Sequence, residues 1–260
     1  MKNKLKIYLK KMKQTQKPKI SCYCCTYGRP NLLEEAIYSF LMQSYQNKEL
    51  IIINDHKDQK LIFEHPQVKI FNINERIIPL GKKYNFAVKH CKGEIIMPWD
   101  DDDVYLPWKM EFSLKNMKKG IFHTDKAFLE MEYKKLQVSH ALFQCNFAID
   151  KMLFNEVKGY PETEASTLDQ DLYTKLKKLI GENISQKISN KDLFYVYRWG
   201  STNSWHHSAI KEKTPELVRK NIDQQLKEAE ILKGEIKLKP HWKYDYVKEC
   251  QELVKKSKLD

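Results

Sequence analysis

Apolar runs and amphipathic stretches alternate along the first half of the chain. Lys19–Thr26 (KISCYCCT) reads as a buried strand, closed by the turn Tyr27-Gly28-Arg29-Pro30. Leu32, Leu33, Ala36, Ile37, Phe40 and Leu41 then recur at helical spacing. Lys48–Ile53 (KELIII) is a second strand and ends at Asn54-Asp55, and Val68–Ile73 is a third. Gly81–Cys91 reads as a helix with Phe86, Ala87 and His90 on one side. Glu94–Trp99 is a fourth strand, and a helix from Pro107 to about Lys119 starts on a proline, where its missing N–H costs nothing. Strands alternating with helices predict a parallel sheet with right-handed crossovers.

The second half is less regular. Ile121–Thr124, Ala127–Tyr133 and Leu136–Ala141 read as short, antiparallel strands, and Gln144–Ile149 as a further extended apolar segment. Lys151–Val157 is a short helix stopping at Gly159. A helix opens at Thr167, its expected cap, and runs through about Leu179, with Asp169 and Asp171 in its first turn. Phe194–Arg198 is a last strand, and 211–234 and 243–257 read as polar C-terminal helices.

Composition narrows the classes. Among 260 residues, 42% are hydrophobic, which suffices for a substantial core. No apolar run approaches a membrane span, and lysines interrupt any signal-peptide core near the start. The expected compartment is therefore the cytoplasm. Cys22, Cys24, Cys25, Cys91, Cys145 and Cys250 contain no pair of C-x-x-C motifs, so they read as reduced thiols rather than a zinc site. Of the net charge of +12, eight lysines in residues 1–19, unaccompanied by any acid, account for all but +4. The basicity is thus concentrated in a tail. Leu5, Tyr8, Leu9 and Met12 in it fall at i, i+3, i+4 and i+7, the pattern of a basic amphipathic helix at a membrane surface; a disordered solubilising arm fits equally well. No nucleic-acid motif accompanies the charge, and nucleic acid is not an expected partner.

The candidate chemistry sits where strands end. Asp100–Asp103 are four consecutive acids immediately after the apolar run that ends at Trp99. Adjacent carboxylates repel unless a cation or a helix N-terminus offsets them, and oxygen-only ligands suit Mg²⁺ or Mn²⁺. An acidic turn capping the next helix is the plainer alternative. Thr26–Arg29 and Asn54-Asp55 each follow a different strand, and in open α/β sheets ligands bind at those carboxyl ends.

These residues resemble a known family. Ser21–Asp55, the stretch GKKYNFAVKHCKGEIIMPWDDDDVYLP at 81–107, the segment from Val157 to LDQDL, and YRWGSTNSWHHS near residue 200 together resemble the inverting family 2 glycosyltransferases of GT-A fold. The resemblance spans roughly 19–210. It implies an α/β GT-A fold with a mainly parallel central sheet flanked by helices and a small antiparallel portion in the second half. The implied layout is a tail at 1–18, the GT-A domain at 19–210 and a C-terminal helical appendage at 211–260.

The resemblance also implies roles. Asp102 becomes the principal metal ligand with Asp100 as the other DxD acid; Asp103 joins the metal set, and Asp101 contacts the donor, the register being open by one residue. Thr26, Tyr27 and Arg29 would contact nucleoside and phosphate, Arg29 as a bidentate diphosphate partner. Asp55 would meet the base or ribose. Lys82, Lys83 and Asn85 open a helix whose N-terminus faces the diphosphate, with Tyr84 standing where the family usually has arginine. Asp169 is the candidate catalytic base, and Leu168 replaces the family's preceding acid. His206 or His207 would lie near the metal, and Trp199 and Trp205 are candidate sugar platforms. The implied reaction is metal-dependent transfer of a sugar, with inversion, from a nucleotide-diphosphate sugar, UDP being the expected nucleotide, to a glycan, lipid-linked or protein acceptor. The rival readings are a nucleotidyltransferase, which would need a better glycine-rich phosphate loop than TYGRP, and a noncatalytic sugar-nucleotide-binding module.

Overall fold

The computed structural model describes residues 17–131, 135–163, 167–181, 183–199 and 214–257. The sequence pattern of the first half becomes β1 (Ile20–Thr26), α1 (Pro30–Leu41), β2 (Lys48–Asn54), β3 (Gln59–Ile62), β4 (Val68–Asn72), α2 (Leu80–His90), β5 (Ile95–Pro98), β6 (Val104–Tyr105) and α3 (Lys109–Asn116). The second half adds β7 (Ile121–Phe122), β8 (Lys126–Met131), β9 (Lys135–His140), β10 (Ala148–Asp150), α4 (Lys151–Glu156), α5 (Leu168–Ile180) and β11 (Tyr195–Trp199). The C-terminal part holds α6 (Pro215–Glu228), β12 (Gly234–Lys237) and α7 (Tyr246–Ser257).

A six-stranded sheet in the order β4-β2-β1-β5-β10-β7 forms the centre. β4, β2, β1 and β5 run parallel, and β10 is antiparallel to both neighbours. Strict alternation divides its core. Cys22, Cys24, Leu50, Ile52, Ile95 and Met97 face a cluster that includes Leu33, Ala36, Ile37 and Phe40 of α1. Tyr23, Cys25, Ile51, Ile53 and Ile96 face a second cluster with Ala87 and Val88 of α2 and Leu172 and Leu176 of α5. Because both faces are covered, β1 and β2 are buried along their whole length, which is why they read as continuous apolar runs.

A second sheet, β6-β11-β8-β9, lies beside the first; β6 and β11 are antiparallel, β11 and β8 parallel, and β8 and β9 antiparallel. The antiparallel portion expected in the second half is present. Three elements depart from the sequence reading. Gln144–Asn146 is a 3₁₀ turn rather than extended chain, so only 148–150 pairs as β10. β6 is two residues long, too short to leave a pattern. The segment 211–234 is not one helix: α6 ends at Glu228, and the chain then forms β12, parallel to β3.

The parallel register aligns Thr26 with Asn54 and places β5 on the other side of β1. The carboxyl ends of β1, β2 and β5 therefore open side by side. Trp99, fully buried, ties the end of β5 to α1 by donating Nε1–H to the Ala36 carbonyl at 2.9 Å. Gln43 holds the far side of the acid loop, donating to the Leu106 carbonyl at 2.9 Å and accepting from Met110 N at 3.1 Å.

Candidate active site

A cavity of about 490 Å³ opens at these strand ends and is lined by Thr26, Tyr27, Arg29, Asp55, all four of Asp100–Asp103, and Asp169. The structure thus brings together most of the residues singled out in the sequence. Lys82 and Asn85 do not line it. Lys82 is exposed, whereas Lys83, one position on around α2, is buried and turned inward. Asn85 instead clamps the loop at Tyr160, donating to its carbonyl and accepting from its N–H, both at 3.0 Å. His206, His207 and Trp205 lie outside the described residues; Trp199 ends β11.

The first loop turns at Gly28, whose φ of +73° lies in the left-handed region that glycine enters freely. That turn delivers Arg29 to the acids. Its Nε–H donates to Asp101 Oδ2 at 3.1 Å and its Nη1 to Asp102 Oδ2 at 2.9 Å, while Nη2 also pairs with Asp101. Burial works against the Arg29 charge, but the carboxylates of Asp101 and Asp102 outweigh it and push its pKa up.

The four acids have different surroundings. Asp100, half-buried, accepts from Tyr84 Oη at 3.0 Å; burial, reinforced by the charge of Asp102, pushes its pKa up to about 7. Burial also raises Asp101, against the pull of Arg29. Asp103 faces the wall, where one oxygen accepts from Tyr195 Oη at 2.5 Å and the other from Arg198 N at 2.8 Å, and burial followed by Asp102 raises its pKa well above the ordinary range. Asp100, Asp103 and Cys145 each offer one ligand atom within 4.8 Å of the others. In that trio, however, both Asp103 oxygens already accept hydrogen bonds, and Cys145 Sγ accepts from Asp100 N at 3.4 Å and Tyr105 Oη at 3.1 Å. Lys109 lies behind them, donating to the Cys145 carbonyl within an aromatic cage whose nearest ring, Phe194, is 4.9 Å away. Asp100 and Asp102 also present carboxylates to the cavity, Asp102 paired with Arg29.

One end of the cavity is built on β2 and α2. Asp55, 2% exposed, accepts from Lys83 Nζ at 2.5 Å and from Ile77 N at 2.8 Å. Lys83 also donates to the Thr26 carbonyl at 2.7 Å, so one buried cation joins the ends of β1 and β2. Tyr27 lies between Arg76, whose guanidinium carbon is 4.6 Å from the ring centroid, and His56, whose ring centroid is 4.8 Å away. Asp223 of α6 pairs with Arg76 at 3.8 Å, and Arg219 of α6 lines the same cavity. Sequence reading did not assign Arg76, Tyr84, Arg219 or Asp223, because no local pattern marks them.

Asp169 lies in the first turn of α5 and accepts from Gln170 N at 2.9 Å. Thr167 occupies the cap position without capping; its hydroxyl donates to Asp171 at 3.1 Å, and Asp171 does not line the cavity.

The donor set fits a hard divalent cation. Seven acids and four bases line the cavity, and carboxylate oxygens are the ligands such a cation takes.

An uncharacterized glycosyltransferase of Rickettsia felis is 23% identical over 247 residues, which cover 84% of this chain and 40% of that protein. The chain thus spans well under two thirds of that relative's length. The S. aureus TarS fragment 1–349 in complex with UDP-GlcNAc superposes with a TM-score of 0.53 at 14% identity, over 91% of this chain and 71% of that one. The mannosyltransferase PcManGT of Pyrobaculum calidifontis, in complex with GDP-Man and Mn²⁺, gives a TM-score of 0.52 at 16% identity, over 79% and 67%. Both share the α/β GT-A fold. The model of glycosyl transferase family 2 matches residues 21–157, and the chain belongs to that family.

Proposed function

We propose that this chain transfers a sugar from a nucleoside-diphosphate sugar to an acceptor hydroxyl, with inversion at the anomeric carbon. The observation that carries the reading is the meeting, in one cavity, of the Arg29–acid cluster with a carboxylate from a separate element, Asp169. Asp102 and Asp100 would hold Mn²⁺ or Mg²⁺, which supplies Lewis-acid neutralisation of charge on the departing diphosphate. Arg29 is the bidentate partner for a phosphate, and Tyr27 and Asp55 form the wall that meets the nucleoside. Asp169 takes the acceptor hydroxyl proton as that oxygen attacks from the face opposite the leaving group. It lies in the first turn of α5, at the edge of the cavity.

UDP is the proposed nucleotide. Support comes from the UDP-GlcNAc complex of TarS, while the GDP-Man complex of PcManGT keeps guanosine in the test. The proposed acceptor is a glycan, a lipid-linked sugar or a protein. Among the described residues no helix is long and apolar enough to cross a membrane. The lysine-rich segment 1–18 is proposed to give peripheral contact with an anionic membrane surface.

A thermal-shift panel of UDP-, GDP-, CDP- and dTDP-sugars with Mn²⁺ tests the reading, because a ligand that binds the folded state raises the melting temperature. Stabilisation by one nucleotide that depends on Mn²⁺ is expected. A flat response to the whole panel overturns it.

A further inference from the structure

Arg198 approaches the acid loop from behind. It sits on β11, whose antiparallel register with β6 pairs Tyr195 with Tyr105 and Val196 with Val104. Continuing that register brings Arg198 beside Asp102 and Asp103. Its backbone N–H donates to Asp103 Oδ1 at 2.8 Å, and its Nε–H donates to the Asp102 carbonyl. The guanidinium is 1% exposed and pairs through Nη1 with Glu35, also 1% exposed, on α1. Tyr246 Oη of α7 lies 3.4 Å from the same Nη1. Glu35 is itself held from the C-terminal side, where Lys243 N donates to it at 3.1 Å and Trp242 Nε1 donates to the neighbouring Ser39 hydroxyl at 2.9 Å.

We infer that Arg198 is a positioning residue for the acid loop, fixing the Asp102 backbone so that its carboxylate faces the cavity, with Glu35 and the C-terminal segment holding Arg198 in turn. This rests on the reading of Asp102 as a cation ligand. Two observations favour it over a merely stabilising ion pair. A buried pair is often no more stabilising than apolar residues of equal volume, so stability alone is a weak reason for one. And the pair is not arranged for full satisfaction, since Arg198 Nη2 has no hydrogen-bond partner among the described residues, whereas Arg198 holds both loop acids, Asp102 by its carbonyl and Asp103 by its carboxylate. Groups behind a metal ligand typically change metal affinity 10–100-fold when removed.

The test measures Mn²⁺ affinity by calorimetry in the presence of UDP, alongside the melting temperature, for the full chain. Arg198→Lys keeps a cation for Glu35 but lacks the Nε donor to Asp102; the double variant Glu35→Met/Arg198→Met removes the pair without stranding a charge. We expect at least one of the two to keep a cooperative melt close to wild type while its Mn²⁺ affinity falls about tenfold or more. Mn²⁺ affinity within twofold of wild type in every variant that keeps its melt overturns the inference, as does loss of a cooperative melt in both, which assigns the pair to stability alone. An unaltered chain that binds no Mn²⁺ withdraws the cation reading together with it.

Discussion

Lys83 reaches Asp55 across the carboxyl ends of two neighbouring strands, its Nζ 2.5 Å from Oδ1, with both side chains buried. The same ammonium donates to the Thr26 carbonyl. Removing one partner of a buried pair leaves an uncompensated charge, so Lys83→Met is expected to cost about 3–5 kcal/mol, read by urea unfolding. Lys82→Ala, one residue away on the solvent face, should stay within about 0.5 kcal/mol of wild type. Equal effects at the two positions would contradict the assignment of the inward role to Lys83.

Arg29 spans Asp101 and Asp102 with a planar fork that lysine cannot reproduce. Arg29→Lys keeps the positive charge beside the acids and loses the bidentate geometry. Calorimetry with UDP and Mn²⁺ should show affinity weakened about tenfold, the loss of one charge-assisted contact. Unchanged affinity would mean that Arg29 serves the acids alone.

Glu130 supplies a pH dependence away from the acid cluster. It is 3% exposed and accepts from Tyr244 Oη, with Arg198, Glu35, Lys243 and Tyr246 around it; burial is the main cause pushing its pKa up to about 7. The folded-state value lies above the unfolded one, near 4.5, so its contribution to stability is complete below about pH 4.5 and is lost as pH rises to about 7. Glu130→Gln keeps the neutral form's hydrogen bonding at every pH. Its melting temperature should match wild type near pH 4.5 and exceed it above pH 7. A constant offset across that range would contradict the shift.

How much was legible follows from where the signals lie. β1, α1 and β2 were readable because two-sided burial makes strands continuously apolar and one-sided burial makes α1 periodic. Parallel pairing then forced Arg29, Asp55 and the acids to one end, so their company did not depend on detail. The phase of α2 was harder. Adjacent residues differ by about 100° around a helix, and three polar residues at 82, 83 and 85 left the inward one open. Arg198 was invisible as a site residue because its partners are 95, 96 and 163 positions away, and pairing over such distances leaves no local pattern. β3 and β12 pair with each other outside the central sheet, four residues each, and neither carries an apolar alternation long enough to recognise.

The central claim is that this cavity performs a sugar transfer for which Asp169 accepts the proton. Its most direct measurement is the rate of nucleotide release from the stabilising donor sugar and Mn²⁺ with an acceptor, for the unaltered chain and for Asp169→Asn. The account predicts turnover by the former and a loss of at least about 100-fold in kcat by the latter, with UDP and Mn²⁺ affinities within twofold. Transfer by Asp169→Asn at the unaltered rate would contradict it.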